Sequence, residues 1–125
     1  MQSMLKIIKK SLILTGLCWL VVPVSSAHHS AVQFDFTIRD FTIEGKVVEF
    51  SVANPHTHIV LEVDDEKGRR NVEFEGHSRN NYFRSGWRDG MVNVGDNITL
   101  MVAPLRDGSD GGYVLGVVTA SGDSF

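Results

Sequence analysis

From Phe41 onward the chain alternates between apolar and polar residues with a period of two. Side chains at positions i and i+2 of a strand lie on the same face, so this alternation is typical of half-buried β-strands. The clearest example is HTHIVLEVDD (residues 56–65), in which one face carries Ile59, Leu61 and Val63. The pattern therefore predicts a mainly β domain.

Four further segments share this alternation: FTIEGKVVEF (41–50), RNVEFEG (70–76), VGDNITLMVAP (94–104) and YVLGVVTASG (113–122). For the last of them we predict one apolar face, formed by Tyr113, Leu115 and Val117. The segment SRNNYFRSGW (78–87) interrupts the alternation. Because Ser78 is a suitable N-cap and Gly86 a suitable terminator, we predict a short helix there, with Tyr82 and Phe83 on its buried side.

Three strands, a helix and two strands, in this order, fit a small five-stranded OB-type barrel with the helix between strands 3 and 4. The sequence EKGR (66–69) predicts a hairpin turn between strands 2 and 3. Closure into a barrel would also remove exposed strand edges. A small open sheet or a sandwich is the alternative. We assign residues 41–125 to the barrel, residues 28–40 to an N-terminal arm and residues 1–27 to a signal peptide.

The signal peptide is indicated by three consecutive features. Residues 1–10 carry three lysines and no acid, residues 11–24 are almost wholly apolar, and small residues occupy positions 25–27. This layout predicts export to the periplasm or the medium, with cleavage after Ala27. The apolar run of ~14 residues is short for a membrane span of ~20. We therefore expect no stable membrane insertion after cleavage, with a retained anchor as the alternative.

Cleavage after Ala27 would change the chemistry of the chain. Cys18 is the only cysteine and would be removed, which excludes a disulfide, a thiolate nucleophile and a cysteine-based zinc site. Three lysines would be lost as well, so the formal net charge would change from −3 to −6. Nucleic acid is a poor partner for so acidic a protein, because its phosphates require Lys and Arg.

Several stretches of the chain, taken together, carry a family resemblance: AHHSAVQFD (27–35), VVEFSVANPHTHI (47–59), EGHSRNNYFRSGW (75–87), VGDNITL (94–100) and APLRDGSDGG (103–112). The series resembles DUF6152, a family of small exported bacterial proteins of uncharacterised function. The resemblance implies an exported β-rich domain and supplies no catalytic residue. His77 stands where relatives typically have Gly or Ser, and His58 stands where they often have Trp.

The new N-terminus is the first candidate metal site. Cleavage would give His28 an α-amine beside its imidazole, and the two can chelate one ion, as in half of a histidine brace. Alternatively, the amine could act with the amide nitrogen and the imidazole of His29. Both modes favour copper and need deprotonated ligands, so the affinity should rise with pH. The alternative is a polar, unstructured tail that binds no metal.

Three further histidines are candidate metal ligands. His56 and His58 share one face of the second strand, opposite Ile59, so we expect them to lie outward or in a groove. A structural role for His56 in the turn after Asn54-Pro55 is the alternative. His77 lies between the third strand and the helix, where a role at the helix start is the alternative to metal binding.

The remaining residues limit the choice of metal and of reaction. Met91 and Met101 are the only methionines after residue 27, which disfavours Cu(I); Cu(II) is the first choice and Zn(II) the second. The acidic turn at 107–110 lacks the spacing of a calcium loop. Glu73 and Glu75 share the outer face of a strand, and we interpret them as surface charges.

Two functions follow from these features, and neither is enzymatic, because the chain lacks a recognisable nucleophile motif. The first is an exported Cu(II)-binding protein for storage, delivery or sensing. The alternative is a non-metal binding module for an unknown protein or small ligand, with Trp87 or Phe50 as an outward aromatic contact.

Overall fold

A computed structural model describes residues 31–125. Its elements are a 3-10 turn at Ala31–Gln33, β1 at Thr42–Ser51, β2 at Thr57–Asp65, β3 at Gly68–Gly76, α1 at Arg79–Arg84, β4 at Asn97–Pro104 and β5 at Gly112–Val118. This is the predicted order of three strands, one helix and two strands. The predicted signal peptide, His28 and His29 lie outside the described residues.

The five strands form a closed barrel in the order β1-β2-β3-β5-β4. All neighbours are antiparallel except β3 and β5, which pair in parallel. The first half of β1 pairs with β4 and the second half with β2, and a register shift lies between Val47 and Glu49. Because a bulge bends a strand, this shift helps β1 to pair with both β4 and β2. The predicted OB-type barrel is confirmed.

The interior of the barrel follows the alternation of β2. Thr57, Ile59, Leu61 and Val63 are all buried, and His58 between them is exposed. The rest of the core comes from β1, β3, α1, the segment after α1, β4 and β5, and it includes Val47, Val72, Phe74, Tyr82, Trp87, Ile98, Leu100, Val102, Val114 and Val117. The inward face predicted for β2 is therefore correct, and the outward position of the two histidines follows from it.

The predicted apolar face of β5 is wrong at two of its three residues. Val114 and Val117 are buried, and Tyr113 and Leu115 are only partly so. The cause is a register shift against β4 that places Leu115 as an extra residue, with Val114 opposite Val102 and Gly116 opposite Met101. One extra residue in a strand exchanges its inward and outward faces.

The predicted helix is confirmed, but one residue of its buried side is wrong. The hydroxyl of Ser78 accepts a hydrogen bond from the Asn81 amide at 3.4 Å, and Gly86 follows the helix with φ +111°. Tyr82 is buried, whereas Phe83 is 53% exposed. Successive helical residues differ in direction by about 100°, and α1 lies with its Tyr82 side toward the barrel, which leaves Phe83 pointing away.

Trp87, expected as an outward contact, is also buried. Its amide donates to the carbonyl of Tyr82 at 3.0 Å, which brings the indole back against the core just after the helix ends. The guanidinium of Arg79 lies 5.4 Å from the centre of the Trp87 ring on the outer side. Phe50 is half-buried and packs against the core, so neither aromatic forms an open contact surface.

Part of the predicted N-terminal arm packs against the barrel. The amide of Asp35 donates to the carbonyl of Pro104 at 2.8 Å, and the amide of Arg106 donates to the carbonyl of Gln33 at 2.9 Å. Phe34 is buried, with its ring 5.4 Å from that of Tyr113. The arm is thereby held at the end of β4. Among residues 31–125, no helix has the length and apolar character needed to cross a membrane.

Candidate functional site

A groove of about 390 Å³ lies where the arm meets the outer surface of β2 and β3. Its walls come from segments far apart in the chain: Gln33, Phe34, His56, Thr57, His58, Glu73, Phe74, Glu75, Leu105 and Gly112. Two of the predicted metal ligands, His56 and His58, are among them. The groove therefore combines two imidazoles and two carboxylates with an apolar wall.

His56 lies at the groove in contact with a carboxylate of the neighbouring strand. Its Nδ1 is 2.9 Å from Oε1 of Glu75, and the side chains are 39% and 20% exposed. The contact arises because Thr57 points into the barrel, which turns its neighbours His56 and His58 outward toward the outer face of β3. The His56 side chain therefore lies against Glu75, and its structural role in the preceding turn stays an alternative interpretation.

His58 lies between two carboxylates from the strands on either side. Its Nδ1 is 3.3 Å from Oε1 of Glu49 on β1, and its Nε2 is 3.5 Å from Oε2 of Glu73 on β3. Partial burial lowers the pKa of His58, but hydrogen bonds to Glu49 and Glu73 and their charges outweigh it, so the pKa is raised above 6.5. The ring is thus held by Glu49 and Glu73, and its charged form is favoured.

His77 lies outside the groove. The hydroxyl of Tyr113 and Nδ1 of His77 are 3.1 Å apart, and the two rings meet edge to face with their centres 5.1 Å apart. Tyr113 also packs against Phe34 and Phe36, so His77 belongs to the aromatic cluster that anchors the arm. Burial, and secondarily the charge of Glu75, raise the pKa of Tyr113. The assignment of His77 as a metal ligand stays a prediction.

The donor atoms of the groove suit a borderline metal ion, because imidazole is a good ligand for both copper and zinc. Among residues 31–125, however, no three His, Cys, Asp or Glu side chains converge closely enough to hold a metal ion. His56 and His58 turn toward different glutamates, as their separate contacts show. The described residues could supply part of a coordination shell, and further ligands would have to come from elsewhere in the chain.

A second charged cluster joins two loops at the barrel surface. Nε of Arg70 is 2.6 Å from Oδ2 of Asp110, and Nη1 of Arg70 is 2.6 Å from Oδ1 of Asp65. Nζ of Lys67 is 3.0 Å from Asp110. Hydrogen bonds from Arg70 and Lys67 hold the pKa of Asp110 well below 3.8. These contacts connect the β2–β3 hairpin to the β4–β5 loop and are structural.

Sequence reasoning missed the pairing of Glu75 with His56. A signal was nevertheless present, because the hairpin turn at Glu66-Lys67 places Asp65 opposite Gly68 and, by counting back, His58 opposite Glu75. The involvement of Glu49, Phe34 and Gln33 had no such signal. Their positions depend on a bulge in β1 and on the docking of the arm.

Comparison with known proteins identifies a family but no activity. The profile described as "Family of unknown function (DUF6152)" matches residues 18–114. The comparison with curated proteins found no match, and the comparison with solved structures found none either. The match covers most of the chain, including every histidine.

Proposed function

The chain belongs to the DUF6152 family, and for this member of the family we propose an exported, non-enzymatic Cu(II)-binding protein. In this proposal the signal peptide is cut after Ala27. The new terminal residue, His28, then binds the ion through its α-amine and imidazole, and His56 supplies a further imidazole from the barrel. Zn(II) is the second choice of metal.

One observation carries the proposal: the arm and the two histidines form walls of the same groove. Gln33 and Phe34 line it together with His56 and His58. His28 lies three positions before the 3-10 turn that carries Gln33, and an extended chain covers at most about 10 Å in that distance. A terminus produced at residue 28 would therefore begin close to the groove that His56 lines.

The charges around the groove support a cationic ligand. Glu49, Glu73 and Glu75 lie beside the two histidines, and clustered carboxylates raise the local concentration of cations. Nitrogen ligands favour Cu(II) over the other divalent first-row ions, including Zn(II). His58 becomes a ligand only if its ring leaves the two glutamates that hold it.

The test uses protein recovered after export, with its N-terminus established by mass spectrometry. Cu(II) titration followed by EPR should give a nitrogen-rich type-2 spectrum. We expect His28→Ala and His56→Ala each to weaken Cu(II) binding at least about tenfold, since each removes a ligand. Asn71→Ala is the control, because Asn71 is exposed on β3 and lies outside the groove lining.

A second comparison separates the two N-terminal modes. His29→Ala should leave binding intact if the His28 imidazole is the ligand, and should weaken it if the His29 imidazole is. One extra residue before His28 should weaken binding in both cases, because it moves the α-amine. Affinity no tighter than that of a short peptide with the same N-terminal sequence would contradict the proposal.

The apolar wall of the groove favours one alternative function, a binding module for a non-metal ligand. Phe34, Phe74 and Leu105 line the groove beside its carboxylates. A basic small molecule or a basic segment of a protein would match this combination of apolar and acidic groups. The same Cu(II) titration distinguishes the two functions, because a non-metal module would show only peptide-like binding.

A further inference from the structure

We infer that the open end of the barrel binds a small molecule that has an apolar body and a positively charged amine. This end, the mouth, is a cavity of about 360 Å³. It is lined by Phe41, Thr42, Ile43, Glu44, Val63, Asp64, Asp65, Lys67, Arg70, Val72, Asp110 and Gly111. The linings of the mouth and of the groove that contains His56 do not overlap. The inference is therefore independent of the proposed metal binding.

The mouth exists because β1 and β2 separate at this end of the barrel. Their described pairing stops at Lys46 and Glu62, although β1 extends back to Thr42 and β2 extends on to Asp65. Beyond that point β1 is paired with β4, and β2 is paired with β3. At the other end of β3, α1 follows, and its Tyr82 is buried in the core. One end of the barrel is thus covered by a helix, and the mouth is left open to a ligand.

The floor of the mouth is apolar. Val63 and Val72 are buried and belong to the core, and Ile43 is partly buried against it. Phe41 lies at the edge and is 42% exposed. Ligand sites are commonly cavities of about 300–1,000 Å³ with apolar walls and a few polar groups, and they occur in the mouths of β-barrels. The mouth therefore has the size and the floor that suit the apolar body of a small ligand.

Both cationic side chains of the mouth are engaged by carboxylates. Nε of Arg70 donates to Asp110, and Nη1 of Arg70 donates to Asp65, each at 2.6 Å. Nζ of Lys67 donates to Asp110 at 3.0 Å. An anionic ligand would have to displace one of these carboxylates before it could bind either cation. The mouth is for this reason a poor site for an anion.

Two further carboxylates leave a negative excess at the mouth. Among residues 31–125, Glu44 has no ion-pair partner. Asp64 pairs with Arg69, but both side chains are more than 60% exposed, and such exposed pairs are weak. An ammonium group that enters the mouth therefore gains the attraction of Glu44 and Asp64. The ring of Phe41 adds to this attraction, because aromatic faces attract cations.

The first test uses phenethylammonium as the probe, with phenethyl alcohol and phenylpropionate as its neutral and anionic analogues. Each compound is titrated into the ¹⁵N-labelled full chain, and the amide chemical shifts are followed by NMR. We expect the cation to shift the amides of Ile43, Val63 and Val72. It should bind about tenfold more tightly than the alcohol, since an exposed ion pair and a cation–π contact each add about two- to fivefold. The anion should not bind.

Three results of this titration would overturn the inference. The first is that no compound gives saturable shifts. The second is that the shifts centre on the groove, at the amides of Gln33 and His58, rather than on the mouth. The third is that the alcohol or the anion binds as tightly as the cation, because the carboxylates at the mouth would then select nothing.

The second test removes single groups from the edge of the mouth. Glu44→Gln should weaken binding of the cation about two- to fivefold and leave binding of the alcohol unchanged. Phe41→Leu should weaken binding of both compounds, because it removes the ring. Both residues are exposed, so neither substitution should prevent folding. Glu62→Gln is the matched control, because it removes the same charge from β2 outside the mouth lining. Equal affinities of Glu44→Gln and Glu62→Gln for the cation would overturn the inference.

Discussion

Gly76, the last residue of β3, leaves room for the ring that closes one end of the barrel. A Cβ at this position would meet the hydroxyl of Tyr82 and lie 3.2 and 3.3 Å from two of its ring carbons. Tyr82 is buried, and burial raises its pKa. The absence of a side chain at residue 76 therefore decides how closely α1 approaches β3.

The first prediction concerns this contact. Gly76→Ala should lower the free energy of unfolding by about 1–3 kcal/mol, because the added methyl overpacks the site. In a Tyr82→Phe background the same substitution should cost less, since the atom nearest the new methyl is gone. Urea denaturation of the four proteins in this double-mutant cycle measures the difference. Strictly additive effects would contradict the proposed clash.

At the scale of elements, the β2–β3 hairpin and the β4–β5 loop are joined by ion pairs between side chains. Asp110 accepts hydrogen bonds from Arg70 and from Lys67, and Asp65 binds the same guanidinium. Two loops whose contacting residues are 40 positions apart in the chain are thereby held together. The pair of Arg69 with Asp64 differs, because it lies entirely within the hairpin and is more than 60% exposed on both sides.

The second prediction concerns the pH dependence of this connection. Hydrogen bonds from Arg70 and then Lys67 depress the pKa of folded Asp110 below its usual 3.8. A depressed carboxyl pKa contributes stability that is present above the unfolded pKa and is lost as the pH falls below it. The wild type should therefore have a higher thermal midpoint than Asp110→Asn at pH 6, and the difference should shrink below about pH 4.

Asp64→Asn is the control for this experiment, because an exposed ion pair within one hairpin contributes little to stability. Its midpoint should differ little from that of the wild type across the same pH range. If the difference in thermal midpoint between the wild type and Asp110→Asn stayed constant from pH 6 to pH 3, the charge of the Asp110 carboxylate would not be the source of the added stability.

At the scale of the whole molecule, the arm is part of the folded unit. Phe34 packs against Phe36 and Tyr113, and Tyr113 in turn contacts His77. A charged contact of 3.5 Å between Arg106 and Asp35 adds to the backbone hydrogen bonds around Phe34. The groove exists only because these contacts place Gln33 and Phe34 over β3.

The third prediction concerns the anchoring of the arm. Phe34→Ala should lower the free energy of unfolding by about 3–5 kcal/mol, the usual cost of truncating a buried phenylalanine. Hydrogen exchange should accelerate at the amides of Asp35 and Arg106, which bond across the arm, more than at the amide of Val47 in the barrel. Val32→Ala, at a position that is 75% exposed, is the control. Unchanged exchange at Asp35 would contradict the anchoring role.

Much of the fold could be predicted because the signals are local. Period-two alternation depends only on neighbours in the chain, so it identified the strands, the inward face of β2 and the outward position of His56 and His58. The Ser78 cap and the Gly86 stop are likewise local, and they located α1. The order of elements then left few topologies, and the closed barrel is the one that the structure adopts.

The sequence by itself determined the strands, the helix and the class of barrel, together with the presence of His56 and His58 on an outer face. Only the tertiary structure decided that Leu115 is an extra residue in β5, that Trp87 is buried, that Glu75 lies beside His56, and that Phe34 completes the groove. The reason is physical. Alternation and capping are properties of short segments, whereas a bulge, a buried ring or a carboxylate–imidazole contact depends on which distant segments pack together.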